Sequence, residues 1–290
     1  MIRMPAPFDI DRLREARAGA HFGAVIEYFA VTDSTNMVAH QLAQTGAAEG
    51  TVVIADTQTH GRGRLGRAWV SPPSCNLYLS VVLRPSVSTA IAPQLTLVAG
   101  VAVAETIREW VPRAALKWPN DTVIDGRKVA GILTEMDADA DRVRFVILGI
   151  GVNLNSAPED FPAELQDKAT SLRVVTGGSI DRAAFTGRLL AQLEDRYQRF
   201  LHDGFAGLRP FWEACSCLTG QQVAIDEGGQ RRTGVVIGIA DDGALVLRTP
   251  QGAEKRILVG DVTVIDGYES TKQRSALSEP PAAQRRPADG

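Results

Sequence analysis

The chain has 290 residues, of which 44% are hydrophobic and 22% charged, and its 31 Lys and Arg against 34 Asp and Glu give a net charge of −3. That length is enough for about two folding units with cores of their own, and the composition is that of a globular chain rather than a disordered one. The charge balance argues against a protein that coats nucleic acid with basic residues, and no apolar run approaches the ~18 residues of a membrane helix.

The N-terminus and the cysteines indicate a reducing compartment. Residues 1–21 turn acidic early and never build the apolar core of a secretory signal. Three cysteines are too few for a disulfide framework. Cys215 and Cys217, separated by one residue, also lack the spacing of a metal knuckle. We therefore expect a cytoplasmic protein whose cysteines serve packing.

The first half of the chain predicts alternating helices and strands. Short β-branched runs indicate strands at residues 25–29, 51–56 and 77–83. Helices are predicted at residues 9–17, from Ser34 to about residue 44 with Val38 and Leu42 on its buried face, and between Pro93 and Trp110. The last of these is apolar nearly all round, so we expect it to be buried.

The second half turns to strands around one further helix. Strands are predicted at residues 116–118, 122–124, 128–135 and 142–152, with an Asp125-Gly126 hairpin turn. Apolar residues at steps of four and three predict a helix after Asp181 that buries Phe185, Leu189, Leu193, Tyr197 and Phe200. Five short strands between residues 223 and 265 predict a small β-barrel. The polar, Pro-rich residues 268–290 predict a disordered tail.

Residues 61–67 (GRGRLGR) are the first candidate site. Their glycines match a dinucleotide-binding pattern formally, but residues 69–73 (WVSPP) cannot open the helix that such a turn requires. What remains is a flexible backbone with three guanidiniums, which suit phosphate and carboxylate groups. We expect mutual repulsion of the arginines to keep this loop mobile until an anion binds. The alternative is a solvated, arginine-rich turn.

Three further segments place polar and cationic side chains at strand ends. Residues 117–121 (KWPND) combine a cation, an aromatic ring and a polar pair before a turn. Lys128 precedes a strand in which Gly131 permits close approach of a ligand, and residues 149–155 (GIGVNLN) end a buried strand with asparagines. Each segment alone could be an ordinary turn, exposed lysine or strand end. The four segments in this order are far more specific.

Together with residues 33–36 (DSTN), these segments resemble the biotin protein ligases in order and approximate spacing, from about Phe22 to Ile265. The resemblance implies an α+β fold: a class II synthetase-like catalytic domain with a mixed sheet, and a small C-terminal SH3-like β-barrel. It divides the chain into a short N-terminal extension, a catalytic biotin- and ATP-binding domain, an SH3-like domain and a tail. These parts span residues 1–21, 22–217, 218–267 and 268–290.

The resemblance also implies a two-step reaction. Biotin, ATP and Mg²⁺ would give biotinyl-5′-adenylate and pyrophosphate. The biotinyl group would then pass to one lysine of a biotin carboxyl carrier domain of acetyl-CoA carboxylase or a related carboxylase. Bifunctional members of the family carry an N-terminal winged helix; residues 1–21 are too short for one, so we expect no DNA binding. Family members differ in whether and when they dimerise, which leaves a ligand-linked homodimer open.

The family motifs assign site residues position by position. A carboxylate that attacks an α-phosphate brings two anions together, so cations must converge there, and the candidate catalytic cations are Arg62, Arg64 and Lys128. The positions matching biotin contacts are Ser34, Thr35, Asn36, Gln58, Arg62, Gly63, Arg64, Lys128 and Gly131. The positions matching ATP or adenylate contacts are Arg64, Arg67, Trp69, Lys117, Asn120, Asp121, Lys128 and Asn153. Trp69 would stack on adenine and Asn153 would hydrogen-bond it. Asp121 would lie near Mg²⁺, whose ligands the sequence does not assign.

Two other functions compete with this prediction. A lipoate or octanoate ligase shares the fold and the acyl-transfer chemistry, but those proteins lack residues 61–67 combined with residues 117–121. A noncatalytic single-stranded nucleic-acid binder would combine a basic groove with several exposed aromatic residues. This chain is net acidic and only 6% aromatic, and its proposed barrel contains no aromatic residue. The sequence therefore predicts a biotin protein ligase.

Overall fold

Two β-sheets organise the chain in a computed structural model that describes residues 8–140 and 142–265. The larger sheet contains β1 (Ile26–Thr32), β2 (Val52–Gln58), β3 (Leu77–Leu83), β4 (Ala115–Lys117), β5 (Asp121–Ile124), β6 (Arg127–Asp139) and β7 (Arg142–Val152). Its strand order is β1-β2-β3-β7-β6-β5-β4. β1 and β2 pair in parallel, and the other neighbours pair antiparallel. The predicted mixed sheet is therefore confirmed.

Helices cover both faces of this sheet. α2 (Thr35–Gln44) packs on one face, where Val53 of β2 joins its apolar cluster. α3 (Leu95–Arg108) and α5 (Arg182–Asp203) belong to the larger core on the opposite face, together with Val52 and Ile54. Because the central strands are buried on both sides, they appear in sequence as nearly continuous apolar runs.

The long helices follow the sequence pattern closely. Asp181 caps α5 by accepting a hydrogen bond from the Ala184 amide at 2.9 Å, and Gly204, with φ of 69°, ends it. All five predicted apolar residues of α5 are buried. In α2, however, the buried residues of the inner face are Ala39 and Ala43, while Val38 and Leu42 are only half-buried. The small alanines let this helix lie close to the sheet.

Three short helices complete the catalytic region. α1 (Ile10–Ala16) packs on α5 through its buried Leu13. It corresponds to the short helix predicted at residues 9–17. α4 (Leu172–Thr176) and α6 (Arg209–Cys215) were not predicted. Both are too short to show a helical repeat of apolar residues.

The smaller sheet is antiparallel and follows the catalytic region in the chain. It contains β8 (Gln222–Glu227), β9 (Gln230–Ile239), β10 (Leu245–Arg248), β11 (Glu254–Ile257) and β12 (Asp261–Val264), in the order β11-β10-β9-β8-β12. All five strands predicted there are present. No pairing among the described residues joins β11 to β12, so the expected closure into a barrel is absent from this strand order. The predicted tail, residues 268–290, lies outside the described residues.

Side chains join the two sheets beside the loop of residues 61–67. Trp118 donates its indole N–H to the Gly243 carbonyl at 3.1 Å. Asp261 at the start of β12 forms ion pairs with Arg64, at 3.6 Å, and with Arg67. The C-terminal sheet thus contributes a side chain to a segment that the sequence singled out as a candidate site.

Within residues 8–140 and 142–265, no helix combines the length and apolarity needed to cross a membrane. The same ranges contain no cluster of three or more His, Cys, Asp or Glu suited to a metal ion. Burial raises the pKa of the Cys217 thiol to about 12 and also raises the pKa of the Cys75 and Cys215 thiols. These thiols are therefore poor nucleophiles and poor metal ligands at neutral pH.

Candidate active site

A cavity of about 670 Å³ lies between the large sheet, residues 61–67 and the start of β12. It is lined by every residue that the sequence assigned to biotin or ATP: Ser34, Thr35, Asn36, Gln58, Arg62, Gly63, Arg64, Arg67, Trp69, Lys117, Asn120, Asp121, Lys128, Gly131 and Asn153. The fold therefore brings the separate sequence segments to one place. What each residue does there is a further question, which the contacts address.

One end of the cavity, called here the neutral end, is lined by Thr35, Asn36 and Gln58, and Ser80 supports it from behind. The Gln58 side-chain oxygen accepts hydrogen bonds from the Thr35 amide at 2.9 Å and from its hydroxyl at 3.2 Å. Ser80 on β3 lies 2.8 Å from the Thr35 hydroxyl and 2.6 Å from the Asn36 side-chain oxygen. Thr35, Asn36 and Ser80 are buried. Because these groups satisfy one another, the neutral end is ordered before any ligand binds.

Glycines on β6 and β7 allow side chains to lie directly against the sheet. A Cβ at Gly149 would stand 2.1 Å from the Asn36 side-chain oxygen. Gly131 and Gly151 are cross-strand partners, and a Cβ at either would meet the Trp69 ring, at 2.9 and 2.5 Å. The indole therefore rests on a pair of glycines. Glycine inside a strand pattern is a sequence signal for such close approach.

The other end, called here the charged end, contains the cations Arg64, Arg67 and Lys128. Each of them already has a carboxylate partner. Lys128 Nζ lies 2.6 Å from Asp121 Oδ1 and 5.3 Å from the centre of the Trp69 ring. Arg64 donates to the Asn120 side-chain oxygen at 3.2 Å and also pairs with Asp261. Burial lowers the pKa of Arg64, against the opposing effect of the Asp121 carboxylate.

The loop itself has a defined conformation. The Gly63 amide donates to the Arg67 carbonyl at 2.7 Å, and the Trp69 amide donates to the Gly61 carbonyl at 2.8 Å. The expected repulsion among the three arginines is offset, because Arg62 pairs with Glu135 at 3.1 Å while the other two pair with Asp261. Carboxylates distant in sequence therefore offset the repulsion among the arginines of this loop.

Two of the predicted residues, Asn120 and Asn153, are held by backbone carbonyl groups. Asn120 donates its side-chain amide to the Ile132 carbonyl at 2.9 Å, which aims its oxygen at Arg64. Asn153 donates its side-chain amide to the Thr170 carbonyl at 3.1 Å. Residues missed by sequence reasoning also line the cavity: Phe161, Leu165, Asp167, Lys168 and Asp261. They come from segments with no pattern of their own.

The lining suits a magnesium nucleotide better than a resident metal. Magnesium is usually held by one or two carboxylates together with phosphate oxygens and water. Asp121 is the candidate carboxylate, and it already pairs with Lys128. The several cationic side chains nearby suit phosphate groups. The residues present therefore fit Mg²⁺ that arrives on ATP.

Two family models and several relatives match the chain. Residues 28–153 match the biotin/lipoate A/B protein ligase family, and residues 218–264 match the biotin protein ligase C-terminal domain. The chain is 41% identical to the bifunctional ligase/repressor BirA of Bacillus subtilis over 256 residues, which cover 88% of this chain and 79% of that protein. It is 39% identical to the biotin–[acetyl-CoA-carboxylase] ligase of Paracoccus denitrificans over 230 residues, covering 77% and 94% of the two chains.

A solved structure agrees with these relatives. The biotin protein ligase from Aquifex aeolicus, in complex with biotin and ATP, superposes with a TM-score of 0.72 at 31% identity, over 83% of this chain and 98% of that chain. The fold and the cavity define an acyl-transfer ligase of mixed α/β architecture. The chain belongs to the biotin/lipoate A/B protein ligase family and, with its C-terminal match and its relatives, to the biotin protein ligases. The predicted family, fold class and enzymatic nature are thereby confirmed.

Proposed function

We propose that this enzyme uses ATP to convert biotin into biotinyl-5′-adenylate and then transfers biotin to a lysine of a biotin carboxyl carrier domain. The observation that carries the proposal is one cavity with a neutral, hydrogen-bonded end and a cationic end. Biotin has a neutral ureido ring and an anionic carboxylate, so its two ends match these two environments. ATP adds the phosphates that the cations suit.

At the neutral end, Ser34, Thr35 and Gln58 would bind the ureido ring. All three are uncharged, and Thr35 and Gln58 are held in fixed orientations by hydrogen bonds to each other. Ile132 and Leu133 of β6 line the cavity next to Gly131 and would contact the aliphatic chain of biotin. Trp69 would stack on adenine, with Phe161 supplying further apolar surface.

In the first step, a carboxylate oxygen of biotin attacks the α-phosphorus of ATP. The bond between the α- and β-phosphates breaks, and pyrophosphate leaves with the electron pair. Negative charge accumulates where the two anions meet, so the Lys128 ammonium and the Arg62 and Arg64 guanidiniums would stabilise the transition state. Mg²⁺ on the nucleotide would supply further positive charge on the phosphate oxygens.

In the second step, the amine of the acceptor lysine attacks the acyl carbon of the adenylate. AMP leaves, and the amine nitrogen loses a proton as the amide forms. The adenylate is itself the activated species, so no covalent enzyme nucleophile is required. Burial of Cys75 and Cys215 and their raised pKa values are consistent with that.

The acceptor is the biotin carboxyl carrier domain of acetyl-CoA carboxylase or of a related carboxylase. The relative from Paracoccus denitrificans is named for acetyl-CoA carboxylase, which supports this choice. The expected cytoplasmic location, the expected lack of DNA binding and the division into four segments stay predictions from the sequence. A homodimer linked to ligand stays an open alternative.

The test is mass spectrometry of a purified carrier domain after incubation with the enzyme, biotin and MgATP. We expect one biotinyl group per domain, with release of pyrophosphate that depends on biotin. A carrier domain whose target lysine is replaced by Arg is the control for specificity. A reaction that proceeds with lipoate and not with biotin would overturn the proposal.

A further inference from the structure

Glu135 contacts two predicted site residues without lining the cavity itself. It lies on β6, and its side chain is 29% exposed. Its Oε2 accepts a hydrogen bond from the Asn36 side-chain amide at 2.7 Å. Its Oε1 lies 3.1 Å from Arg62 Nη2. One carboxylate therefore joins the first turn of α2 to the first arginine of the loop.

The hydrogen bonds of Asn36 hold its side chain in place from both ends of the amide. A side-chain amide has two N–H donors. One donates to Glu135, and the other points to the Leu133 carbonyl at 3.4 Å. The Asn36 oxygen accepts from Ser80. With both donors engaged and the side chain buried, Asn36 is part of the framework of the neutral end, and its oxygen keeps one lone pair on the side of the cavity that it lines.

Arg62, in contrast, keeps donors for a ligand. A guanidinium has five N–H donors in a rigid fork, and the contact with Glu135 uses one terminal nitrogen. Arg64 and Arg67 are held by Asp261 from the C-terminal sheet. Glu135 instead ties Arg62 to Asn36 in the framework of the neutral end.

We propose that Glu135 is a positioning residue for biotin activation. Its negative charge sets the direction of the Arg62 fork toward the biotin carboxylate, and its second oxygen fixes the Asn36 amide on which the neutral end is built. The proposal rests on the proposed function, because the anion that Arg62 meets is the carboxylate of biotin. A guanidinium oriented in advance loses less side-chain freedom when it binds that carboxylate.

Glu135→Gln separates the two contacts. Glutamine keeps an oxygen that can accept from Asn36 but removes the charge that holds Arg62. We expect the KM for biotin in pyrophosphate release to rise about tenfold, the scale for losing a charged hydrogen bond. The KM for ATP should stay within about twofold, because Arg64 and Lys128 have other partners. Glu135→Ala should do more, since it also releases Asn36.

Asp137→Asn is the matched control. Asp137 lies two residues further along β6, on the same face of the sheet. Its partners are Arg144 and, at 3.9 Å, His40, and neither lines the cavity. We expect the KM for biotin to be unchanged in this variant. A rise equal to that in Glu135→Gln would show that any lost carboxylate on this strand has the same effect, and would overturn the proposal.

A double-mutant cycle with Arg62 tests whether Glu135 affects biotin binding through Arg62. In an Arg62→Ala background, Glu135→Gln should add little to the KM for biotin, because the residue that it positions is gone. A purely structural role would give the same further loss in both backgrounds, and that result would contradict the proposal. Absence of biotin-dependent pyrophosphate release in the wild type would instead refute the proposed function. Normal wild-type release with an unchanged KM for biotin in Glu135→Gln would refute only the role of Glu135.

Discussion

The neutral end and the charged end of the cavity are held together by different forces. At the neutral end, buried groups without charge hydrogen-bond to one another, as Thr35 does with Gln58 and Ser80. At the charged end, partly exposed cations pair with carboxylates from other parts of the chain, as Lys128 does with Asp121 and Arg67 does with Asp261. The hydrogen-bonded groups of the neutral end belong to α2 and the large sheet, whereas the ion pairs of the charged end include residues of both sheets.

This difference decides how each end responds to a ligand. A buried, hydrogen-bonded network is costly to disturb and keeps its geometry in the free enzyme. A partly exposed ion pair contributes only about 0–1 kcal/mol, so an anionic ligand can replace a carboxylate partner at little cost. Substitutions at the charged end should therefore affect reaction rate and retention of the adenylate. Substitutions at the neutral end should affect stability and biotin binding.

The largest effect is expected for Lys128→Ala. If Lys128 stabilises the charge that forms between the carboxylate and the α-phosphate, the rate of adenylate formation should fall by about two orders of magnitude or more. Folding should be nearly unchanged, because the side chain is partly exposed at the start of a strand. Biotin-dependent pyrophosphate release in a single turnover measures the rate.

Arg127→Ala is the control for this substitution. Arg127 is the neighbour of Lys128 on β6 and does not line the cavity. Its replacement should leave the rate within a few-fold of the wild type. If Lys128→Ala were also within a few-fold of the wild type, the critical cation would instead be one of the arginines of residues 61–67.

Arg64→Gly should release the adenylate early. Arg64 is the arginine of the loop that joins Asn120 to the C-terminal sheet. Without it, the loop loses both contacts and its hold on the phosphate, so we expect adenylate to dissociate about tenfold faster. The free adenylate should then acylate exposed lysines of a bystander protein such as albumin, which mass spectrometry detects.

Arg113→Gly, which removes an exposed ion pair with Asp125, should retain the adenylate as the wild type does. Equal release half-times for Arg64→Gly and the wild type would remove Arg64 from the retention of the adenylate.

Local sequence signals were enough for most of the fold. The predicted bounds of β3 and β7 agree with the structure, because both strands are dense apolar runs with clear ends. β6 continues to Asp139, four residues past its predicted end. Its last four residues include two aspartates, and all four are exposed or only partly buried. A strand that leaves the core loses the apolar pattern by which it would be recognised.

The candidate site likewise contains residues that local sequence motifs identify and residues that they do not. Its glycines, arginines and Lys128 stand in compact segments, so motif spacing could identify them. Glu135, Asp261 and Ser80 are single polar residues, and each meets site partners more than 40 positions away. The pairing of Gly131 with Gly151 depends on strand register, which spacing does not reveal. Only the fold could bring these residues into contact with the residues that line the cavity.

Asp261→Asn should weaken the charged end to a smaller degree than loss of an arginine. The substitution removes the charge that holds Arg64 and Arg67 but leaves both guanidiniums in place. We expect the KM for ATP to rise about threefold, which lies within the range for a partly exposed ion pair. Trypsin should also cleave the loop faster at its arginines. Asp242→Asn removes another ion pair of the C-terminal sheet, with Arg256, and should change neither quantity. An unaltered cleavage rate in Asp261→Asn would show that the loop holds its conformation without the C-terminal sheet.

The smallest kinetic effect is expected at the neutral end, for Ser80→Ala. Ser80 is fully buried, and its hydroxyl contacts Thr35 and Asn36 at 2.8 and 2.6 Å. Its loss leaves a buried acceptor on Asn36 without that donor, which should lower the free energy of unfolding by about 1–3 kcal/mol. The KM for biotin should rise only two- to threefold, roughly 0.5 kcal/mol, because Gln58 still orients Thr35.

The matched control is Ser171→Ala, which removes another fully buried hydroxyl, one that donates to the Ser156 carbonyl and caps α4 away from the cavity lining. Thermal unfolding should show a comparable loss of stability in both variants, while only Ser80→Ala raises the KM for biotin. The half-time of adenylate release should be the same in both, because the cations that hold the phosphate are untouched. A large increase in adenylate release from Ser80→Ala would contradict this expectation. It would show that the neutral end and the charged end are coupled, because Ser80 does not contact the cations that hold the phosphate.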